Sequence, residues 1–185
     1  MGQIIVSQFV TVDGVMEDPG GSENMERGGW AFEFNRGDDG DKFKLDEVME
    51  SSALLLGKKT YDGFAAAWPS REGDFADKFN TMPKFVVSST LSDPEWNNTT
   101  VIGVDDLARL REDQDGVILV NGSRRLVDEL VERDLVDEFR LMVFPTVLGM
   151  GKQLFGDTGA TKALELVEAR PVGSEGVLVL IYRPK

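Results

Sequence analysis

The stretch VILVNGSRRLVDELVER, residues 117–133, joins an apolar run to a polar turn and then to an amphipathic helix. Residues 117–120 have the length and composition of a buried β-strand. The residues after them carry an apolar stripe at i, i+1, i+4 and i+5, which consists of Leu126, Val127, Leu130 and Val131. That spacing predicts a helix with one buried face, opened by the turn 121–123 and running through Arg133. A buried strand followed at once by a helix is the repeating unit of an α/β fold.

The rest of the chain repeats this alternation. Apolar or alternating runs predict strands at 4–12, 53–57, 84–88, 99–102, 117–120, 138–143, 162–169 and 177–183. Helical periodicity predicts helices that begin at Asp41, span 58–68 and 104–112, and follow residue 120. Residues 17–40 are rich in Gly, Asp, Asn and Ser and are predicted to form a long loop. The order predicts a single domain over residues 1–185. Its sheet is largely parallel with helices on both faces, and its last three strands are antiparallel.

The absence of Cys and His excludes several kinds of chemistry. A chain with neither residue has no Cys-His zinc site, thiol nucleophile, Ser-His-Asp triad or His general base. Residues 35–46 loosely resemble a calcium-binding loop, but Gly37 occupies a ligand position and Asp46 stands where such loops end in Glu. We therefore expect no bound metal.

The formal net charge of −13 also limits which partners the protein can bind. This charge repels a nucleic-acid backbone, so no nucleic-acid partner is expected. It is compatible with an ordinary acidic protein or with adaptation to high salt. The first residues alternate apolar and polar, which predicts a strand rather than a signal peptide, and no stretch approaches the ~20 apolar residues of a membrane span. We expect a cytoplasmic protein that acts on a small molecule and has no membrane partner.

Three of the predicted strands are followed by residues suited to a nucleotide. Glycine and hydroxyl residues follow them in Gly57-Lys58-Lys59-Thr60, Ser88-Ser89-Thr90 and Asn121-Gly122-Ser123-Arg124. Ligands of open parallel sheets bind outside the carboxyl ends of the strands, where helix N-termini attract phosphate. Each segment by itself is also an ordinary turn or helix cap, in which hydroxyl groups bond to backbone amides. Together they predict a nucleotide cradle, with Lys58 and Lys59 the nearest positive charges for a 2′-phosphate.

The same segments resemble a known superfamily. VTVDG at 10–14, LLGKKTY at 55–61, MPKFVVSSTL at 82–91 and NGS at 121–123 are similar to the dihydrofolate reductase superfamily. LVDEFRL at 135–141 and PTVLGMGKQLF at 145–155 more closely resemble the reductase domain of riboflavin biosynthesis and its stand-alone relatives. The resemblance covers nearly the whole chain and implies a three-layer fold. The deaminase half of the bifunctional riboflavin enzymes is excluded, because its zinc ligands are His and Cys.

This resemblance implies an NADPH-dependent reductase. It implies hydride transfer to a small heterocycle, such as a pterin or a flavin precursor of the ribosylaminopyrimidine type. The cofactor-binding residues that it implies are Val10, Gly57, Lys58, Thr60, Ser88, Ser89, Asn121, Gly122, Ser123 and Arg124. Val10 would flank the nicotinamide, and Ser88 and Ser89 would face the adenosine ribose phosphate. The turn at 121–124 would cradle the pyrophosphate.

Hydride transfer leaves a proton to be delivered, and the resemblance implies an acid on the first helix for this role. Asp41 lies sixteen residues before Gly57, which is the spacing of that acid in folate reductases. Asp13 is a second candidate. Asp41 is equally an N-terminal acid that favours the helix dipole. Trp30 and Phe32 either stack on a flat ring or belong to the core.

Two other functions stay open. One is a dihydrofolate reductase proper, although the loop 17–40 lacks the proline-tryptophan segment of folate enzymes. The other is a nucleotide-binding protein without turnover. The resembled branch pairs through its C-terminal strands, so a homodimer is expected. Its apolar patch would consist of Phe139, Leu141, Val143 and Phe144.

Overall fold

The computed structural model describes residues 1–156, 159 and 161–185. Within them the strands are β1 (Gln3–Thr11), β2 (Ser51–Gly57), β3 (Lys84–Val87), β4 (Thr99–Ile102), β5 (Val117–Val120), β6 (Glu138–Phe144), β7 (Leu164–Val172) and β8 (Val177–Pro184). The α-helices are α1 (Gly37–Glu50), α2 (Lys58–Ala67), α3 (Asp74–Thr81), α4 (Leu107–Asp113) and α5 (Arg124–Glu132). Two short 3₁₀ turns span Trp30–Glu33 and Val104–Asp106.

All of these strands lie in one sheet, in the order β4-β3-β2-β5-β1-β6-β8-β7. The strands from β4 to β6 pair in parallel, and β8 is antiparallel to both of its neighbours. The predicted α/β fold with a mostly parallel sheet and an antiparallel C-terminal edge is confirmed. The prediction that residues 138–143 form an antiparallel strand is wrong for the pairing with β1, because α5 carries the chain back across the sheet and β6 continues in the parallel direction.

The sheet is covered on both faces, so the three-layer prediction is confirmed. Ile118 packs with Leu126 and Leu130 of α5 on one face. Its neighbour Leu119 packs with Val48 of α1 and with α2 and α3 on the other. Consecutive apolar residues that face opposite layers are typical of a parallel strand buried on both sides.

Two helices differ from the prediction. Helix α3 was not predicted, because its apolar stripe of Phe75, Ala76 and Phe79 covers only two helical turns. The ring centroids of Trp68, Phe75 and Phe79 lie 4.8–5.1 Å apart. Helix α1 begins at Gly37 and not at the predicted Asp41. The Asn35 side chain accepts a hydrogen bond from the Gly37 amide (2.8 Å), which starts the helix four residues earlier.

The long loop contains a core residue. Trp30 is buried against Phe144, with ring centroids 5.5 Å apart, and its indole nitrogen donates to the Glu17 carbonyl (2.9 Å). Phe32 is exposed. Of the two roles left open for Trp30, the structure supports the core role.

The prediction that Phe139, Leu141 and Phe144 form an exposed dimer patch is wrong. Phe139, Leu141 and Phe144 are buried in this chain's own core, because both faces of β6 are covered. The exposed apolar side chains near that edge belong to β7 and β8, and they are Leu166, Val167 and Leu178. Among the described residues, no helix has both the length and the apolar character needed to cross a bilayer.

Candidate functional site

A cavity of about 800 Å³ opens at the carboxyl ends of β2, β3 and β5. It is formed where the three predicted strand-end segments meet. The predicted cofactor-binding residues that line it are Gly57, Lys58, Thr60, Ser88, Ser89, Ser123 and Arg124. The volume lies within the range of small-molecule and cofactor sites. The structure therefore brings together in one place most of the residues that the sequence singled out.

Two glycines let the β2–α2 and β5–α5 turns touch. The Gly57 amide donates to the Gly122 carbonyl at 3.2 Å. Gly122 has φ +114°, and a Cβ atom there would lie 2.8 Å from Thr60 Oγ1. A side chain at Gly122 would therefore be both strained and crowded. The close contact places the first turns of α2 and α5 side by side at the cavity.

The starts of these two helices suit an anion. Within the described residues, neither N-cap residue, Gly57 or Ser123, caps its helix with a side-chain hydrogen bond. The first amide groups of α2 and α5 are thus left without a side-chain cap, at the positive ends of two helix dipoles. A phosphate oxygen is the kind of ligand that satisfies such amides.

The cavity wall concentrates positive charge in an acidic chain. Its basic residues are Lys58, Lys59, Arg124, Arg125 and Lys152, and its acidic residues are Glu17, Glu23, Asp128 and Glu129. Some of the basic groups are paired within their own helix, such as Lys58 with Asp62 (2.6 Å). Among the described residues, no cluster of three or more acidic side chains is arranged to hold a metal ion.

The Ser88 side chain stabilises the turn that follows β3. Its hydroxyl oxygen accepts hydrogen bonds from the amides of Thr90 (3.1 Å) and Leu91 (3.0 Å). This is the turn role that the sequence left open. The Ser88 hydroxyl also lies 3.5 Å from Thr90 Oγ1, and its proton can point to that oxygen or to a ligand, since the two amide bonds use the Ser88 oxygen as acceptor.

Three predicted cofactor residues do not line the cavity. Val10 is buried in the core beside α5. Asn121 donates from its side chain to the Ser7 carbonyl (3.2 Å), and its Oδ1 atom is buried without a partner in the described part of the chain. Gly122 is not among the lining residues, although its backbone lies against the Thr60 side chain, which does line the cavity.

The predicted acid Asp13 holds a loop. Thr11 Oγ1 donates to its carboxylate at 2.5 Å, and the amides of Leu148 (3.3 Å) and Gly149 (2.8 Å) donate to it as well. The bond from Thr11 is the main cause that lowers the pKa of Asp13. The carboxyl group is therefore ionised at neutral pH and organises residues 146–149. It does not line the cavity.

The second predicted acid, Asp41, is exposed. It lies in the second turn of α1, and its carboxylate pairs with Arg36 Nε at 2.5 Å. The inward face of the same helix carries Gly40, Lys44 and Glu47 at i, i+4 and i+7. Val48, one residue after Glu47, is buried as well, so the helical face alone does not explain the exposure of Asp41, which lies seven residues before Val48. Asp41 does not line the cavity.

The buried acid of α1 is Glu47, which the sequence analysis missed. Its side chain is 1% exposed, lies 2.5 Å from Lys44 Nζ and accepts from Ser7 Oγ at 2.9 Å. Lys44 also donates to the Ser7 hydroxyl at 2.6 Å. An i, i+3 Lys-Glu pair is ordinarily a surface feature, so the local sequence pattern gave no signal of its burial.

Two loops form the side of the cavity that the sequence did not predict. The Met16 amide donates to the Lys152 carbonyl, and the Lys152 amide donates to the Glu17 carboxylate, both at 2.9 Å. The Gln153 side-chain amide donates to the Asp13 carbonyl, and the Leu154 backbone amide donates to the Gly14 carbonyl. Burial opposes ionisation of Glu17, but the bonds from Lys152 outweigh it and lower the pKa of Glu17.

Comparison with known proteins relates the fold to described families. The family model of the RibD C-terminal domain matches residues 3–178. An uncharacterized protein of Bacillus subtilis, YyaP, is 28% identical over 97% of this chain and 94% of its own length. A putative riboflavin biosynthesis protein from Shewanella sp. PV-4 has a similar structure, with a TM-score of 0.79, 20% identity and coverage of 99% of both chains. A dihydrofolate reductase from Enterococcus faecalis, complexed with NADP(H) and RAB-propyl, has a TM-score of 0.64 and 14% identity, over 99% of this chain and 96% of that one.

Proposed function

Because the chain belongs to the RibD C-terminal domain family, we propose that it is an NADPH-dependent oxidoreductase. It would transfer a hydride to a small heterocycle, either a flavin precursor of the ribosylaminopyrimidine type or a pterin. The observation that carries this proposal is the meeting of the α2 and α5 N-termini at one cavity, next to two glycines that leave no room for side chains.

The residues at the cavity fit a dinucleotide. The amides that begin α2 and α5 would hold the pyrophosphate, with the hydroxyls of Thr60 and Ser123 beside them. Ser88 and Ser89 lie at the end of β3, where they would face the adenosine ribose. The Enterococcus reductase, which shares this fold, was solved with NADP(H).

The preference for NADPH over NADH would come from α2. A 2′-phosphate monoester carries a charge of about −1.5 to −2 at neutral pH and binds best beside cationic side chains. Lys58 and Lys59 are the basic residues in the first turn of α2, and both line the cavity. NADH lacks this phosphate and would gain nothing from either lysine.

When bound, the cofactor supplies the hydride, and the chain has to supply the proton. Asp41 and Asp13 are the predicted donors, but the hydrogen bonds that lower the pKa of Asp13 keep it ionised at neutral pH and do not suit it to this role. The contacts of Asp13 give it a role in the loop 146–149, whereas Asp41 makes a single ion pair on the surface of α1. Glu47, the buried acid of the same helix, is a third candidate.

Titration of the purified protein with NADPH and NADH, followed by nicotinamide fluorescence, tests the cofactor proposal. We expect saturable binding of NADPH and weaker binding of NADH. Absence of binding of either nucleotide, in low or molar salt, would refute the proposal. A panel of pterins and flavin precursors then separates a reductase from a nucleotide-binding protein without turnover. Dihydrofolate turnover blocked by methotrexate would identify a dihydrofolate reductase proper.

We also propose a cytoplasmic homodimer that pairs through β7 and β8. Leu166 and Val167 on β7 and Leu178 on β8 expose apolar side chains at the edge of the sheet. An edge strand with such side chains is suited to pairing with a second copy. Light scattering at micromolar concentration is expected to give twice the chain mass of 20.4 kDa. A monomer mass would remove this proposal.

A further inference from the structure

The Lys59 ammonium group on the cavity wall is held by carboxylates from the opposite loop. Its Nζ atom lies 2.5 Å from Glu23 Oε2 and 3.6 Å from Glu17 Oε1. The hydrogen bond to Glu23 is the main cause that raises the pKa of Lys59. All three residues line the cavity where the proposed cofactor would bind. A ligand phosphate can therefore bind the Lys59 ammonium group only by replacing a carboxylate that is already paired with it.

The Glu17 and Glu23 carboxylates differ in how many partners they have besides Lys59. Glu17 accepts from the Lys152 amide and lies 3.1 Å from the Lys152 ammonium group, so it stays bound without Lys59. Among the described residues, Lys59 is the only basic group within ion-pair distance of the Glu23 carboxylate. Glu23 can therefore leave Lys59 without breaking another ion pair.

The backbone around Glu23 is held separately. The amides of Glu23 (2.9 Å) and Met25 (3.1 Å) donate to the carboxylate of Asp18, which is buried, and the Gly29 amide donates to the Asp18 carbonyl (2.8 Å). Segment 18–29 is thus organised around Asp18, and the Glu23 side chain links it to α2. Losing that link would free the Glu23 side chain and leave the bonds to Asp18 intact.

Resting on the proposed function, we infer that Glu23 is a specificity-determining residue. It acts as an internal counter-ion that a ligand has to displace from Lys59. A phosphodiester carries one negative charge, as a carboxylate does, and gains little by the exchange. A phosphate monoester carries about −1.5 to −2 and displaces the carboxylate more favourably. A ligand with a terminal phosphate monoester therefore displaces Glu23 from Lys59 at a cost to its own affinity, whereas a ligand with a diester alone leaves the ion pair in place.

Two sources supply such a group. One is the 2′-phosphate of NADPH, and the other is the phosphate of a phosphorylated substrate of the ribosylaminopyrimidine type. Adenosine 2′-monophosphate represents the first source, and ribose 5-phosphate represents the second.

The test compares Glu23→Gln with Glu26→Gln. Both changes remove one negative charge from the same loop, but Glu26 is exposed and makes no ion pair within the described residues, so it controls for the change in net charge. Dissociation constants are measured at pH 8 and low salt for NADPH, NADH, adenosine 2′-monophosphate and ribose 5-phosphate. Unfolding curves of both variants are recorded to show that they fold like the parent protein.

We expect Glu23→Gln to bind at least one monoester ligand about threefold more tightly than Glu26→Gln does, with NADH nearly unchanged. A gain with NADPH and adenosine 2′-monophosphate assigns the site to the cofactor, and a gain with ribose 5-phosphate assigns it to the substrate. Molar salt should remove the difference, since both partners are partly exposed.

The inference and the proposed function fail in different ways. If neither nicotinamide nucleotide binds but a monoester still binds more tightly to Glu23→Gln, the cofactor proposal fails and the inference holds. If no monoester distinguishes Glu23→Gln from Glu26→Gln, or if NADH gains as much as NADPH, the inference is overturned whatever the turnover.

Discussion

A Cβ atom on Gly57 would lie 2.1 Å from Ser123 Oγ and 2.9 Å from Ser123 Cβ. The two residues belong to different strand-to-helix turns, 66 positions apart in the chain. Ser123 Oγ can rotate away, but its Cβ and amide cannot move without shifting the start of α5. The relative position of the two helix N-termini therefore depends on the absence of a side chain at Gly57.

Gly57→Ala is expected to weaken NADPH binding at least tenfold. The added methyl group pushes the turn before α5 away from α2, so the two sets of amides no longer converge. Overpacking of this kind costs about 1–3 kcal/mol of stability, so the variant is expected to stay folded at room temperature. Fluorescence titration and urea unfolding measure the two effects.

Gly63→Ala is the matched control for that change. Gly63 lies in α2, and a Cβ atom there meets nothing within 4 Å. Alanine in a helix interior is favoured over glycine by about 0.5–1 kcal/mol, so this variant should be slightly more stable and bind NADPH as the parent does. Equal affinity of Gly57→Ala and Gly63→Ala would contradict the role given to the turn.

Glu47→Gln is expected to destabilise the fold by about 3–5 kcal/mol. The substitution leaves the Lys44 ammonium group buried beside Ser7 without its counter-ion, and an unpaired buried charge is costly. Urea unfolding measures the loss.

Asp46→Asn, on the same helix, is the control. Asp46 pairs with Lys42 on the surface, and losing an exposed pair costs at most about 1 kcal/mol. A loss at Glu47 no larger than this would mean that the buried pair does not stabilise the chain.

Asp41→Asn is expected to slow turnover about a hundredfold or more and to leave the dissociation constant of NADPH unchanged, if Asp41 delivers the proton. The pH dependence of kcat distinguishes this role from the ion pair with Arg36, because only loss of the donor alters the profile. A variant that is as active as the parent at every pH would show that Asp41 forms the ion pair with Arg36 and does not donate the proton.

Asp13→Asn is expected to act on stability. The pKa of Asp13 is lowered in the folded protein, so its contribution is present above the ordinary carboxyl pKa and is lost as the pH falls through the lowered value. The parent should therefore lose stability in acid relative to the variant, which already lacks the charge. Thermal unfolding between pH 3 and pH 7 checks this difference, and parallel curves would contradict it.

Lys84 is expected to make the stability depend on alkaline pH. Its ammonium group is buried, donates to the carbonyls of Asn80, Met82 and Asn97, and lies 4.4 Å from the centre of the Trp96 ring. Burial lowers the pKa of Lys84 to about 8, from 10.5. The folded state then binds fewer protons than the unfolded state between these values, so the free energy of unfolding rises from pH 8 to pH 10.5.

Lys84→Met isolates this effect. The variant should be less stable by about 1–3 kcal/mol, because carbonyl groups lose their donor. Its stability should also lack the rise that the parent shows. A rise of the same size in both proteins would assign it to other groups.

The strands and their succession along the chain were predictable because a buried strand is a local pattern. The run at residues 117–120 and the stripe after it define β5 and α5 without reference to any distant residue. Helix α3 carries the same kind of stripe, with Phe75, Ala76 and Phe79 at i, i+1 and i+4, but it spans only two turns, which is too short for periodicity alone to separate a helix from a loop.

By itself, the sequence determined the α/β class, the mostly parallel character of the sheet and the strand-end segments that meet at the cavity. These follow from apolar runs and from glycine and hydroxyl turns, which act over a few residues. Tertiary structure alone decided that Glu47 is buried and Asp41 exposed, because the rest of the fold covers α1 at Glu47 and Val48 but leaves Asp41, seven residues before Val48, open to solvent. It also decided that Glu23 meets Lys59 and that Glu17 meets Lys152, because an ion pair depends on distance in space and not on separation along the chain.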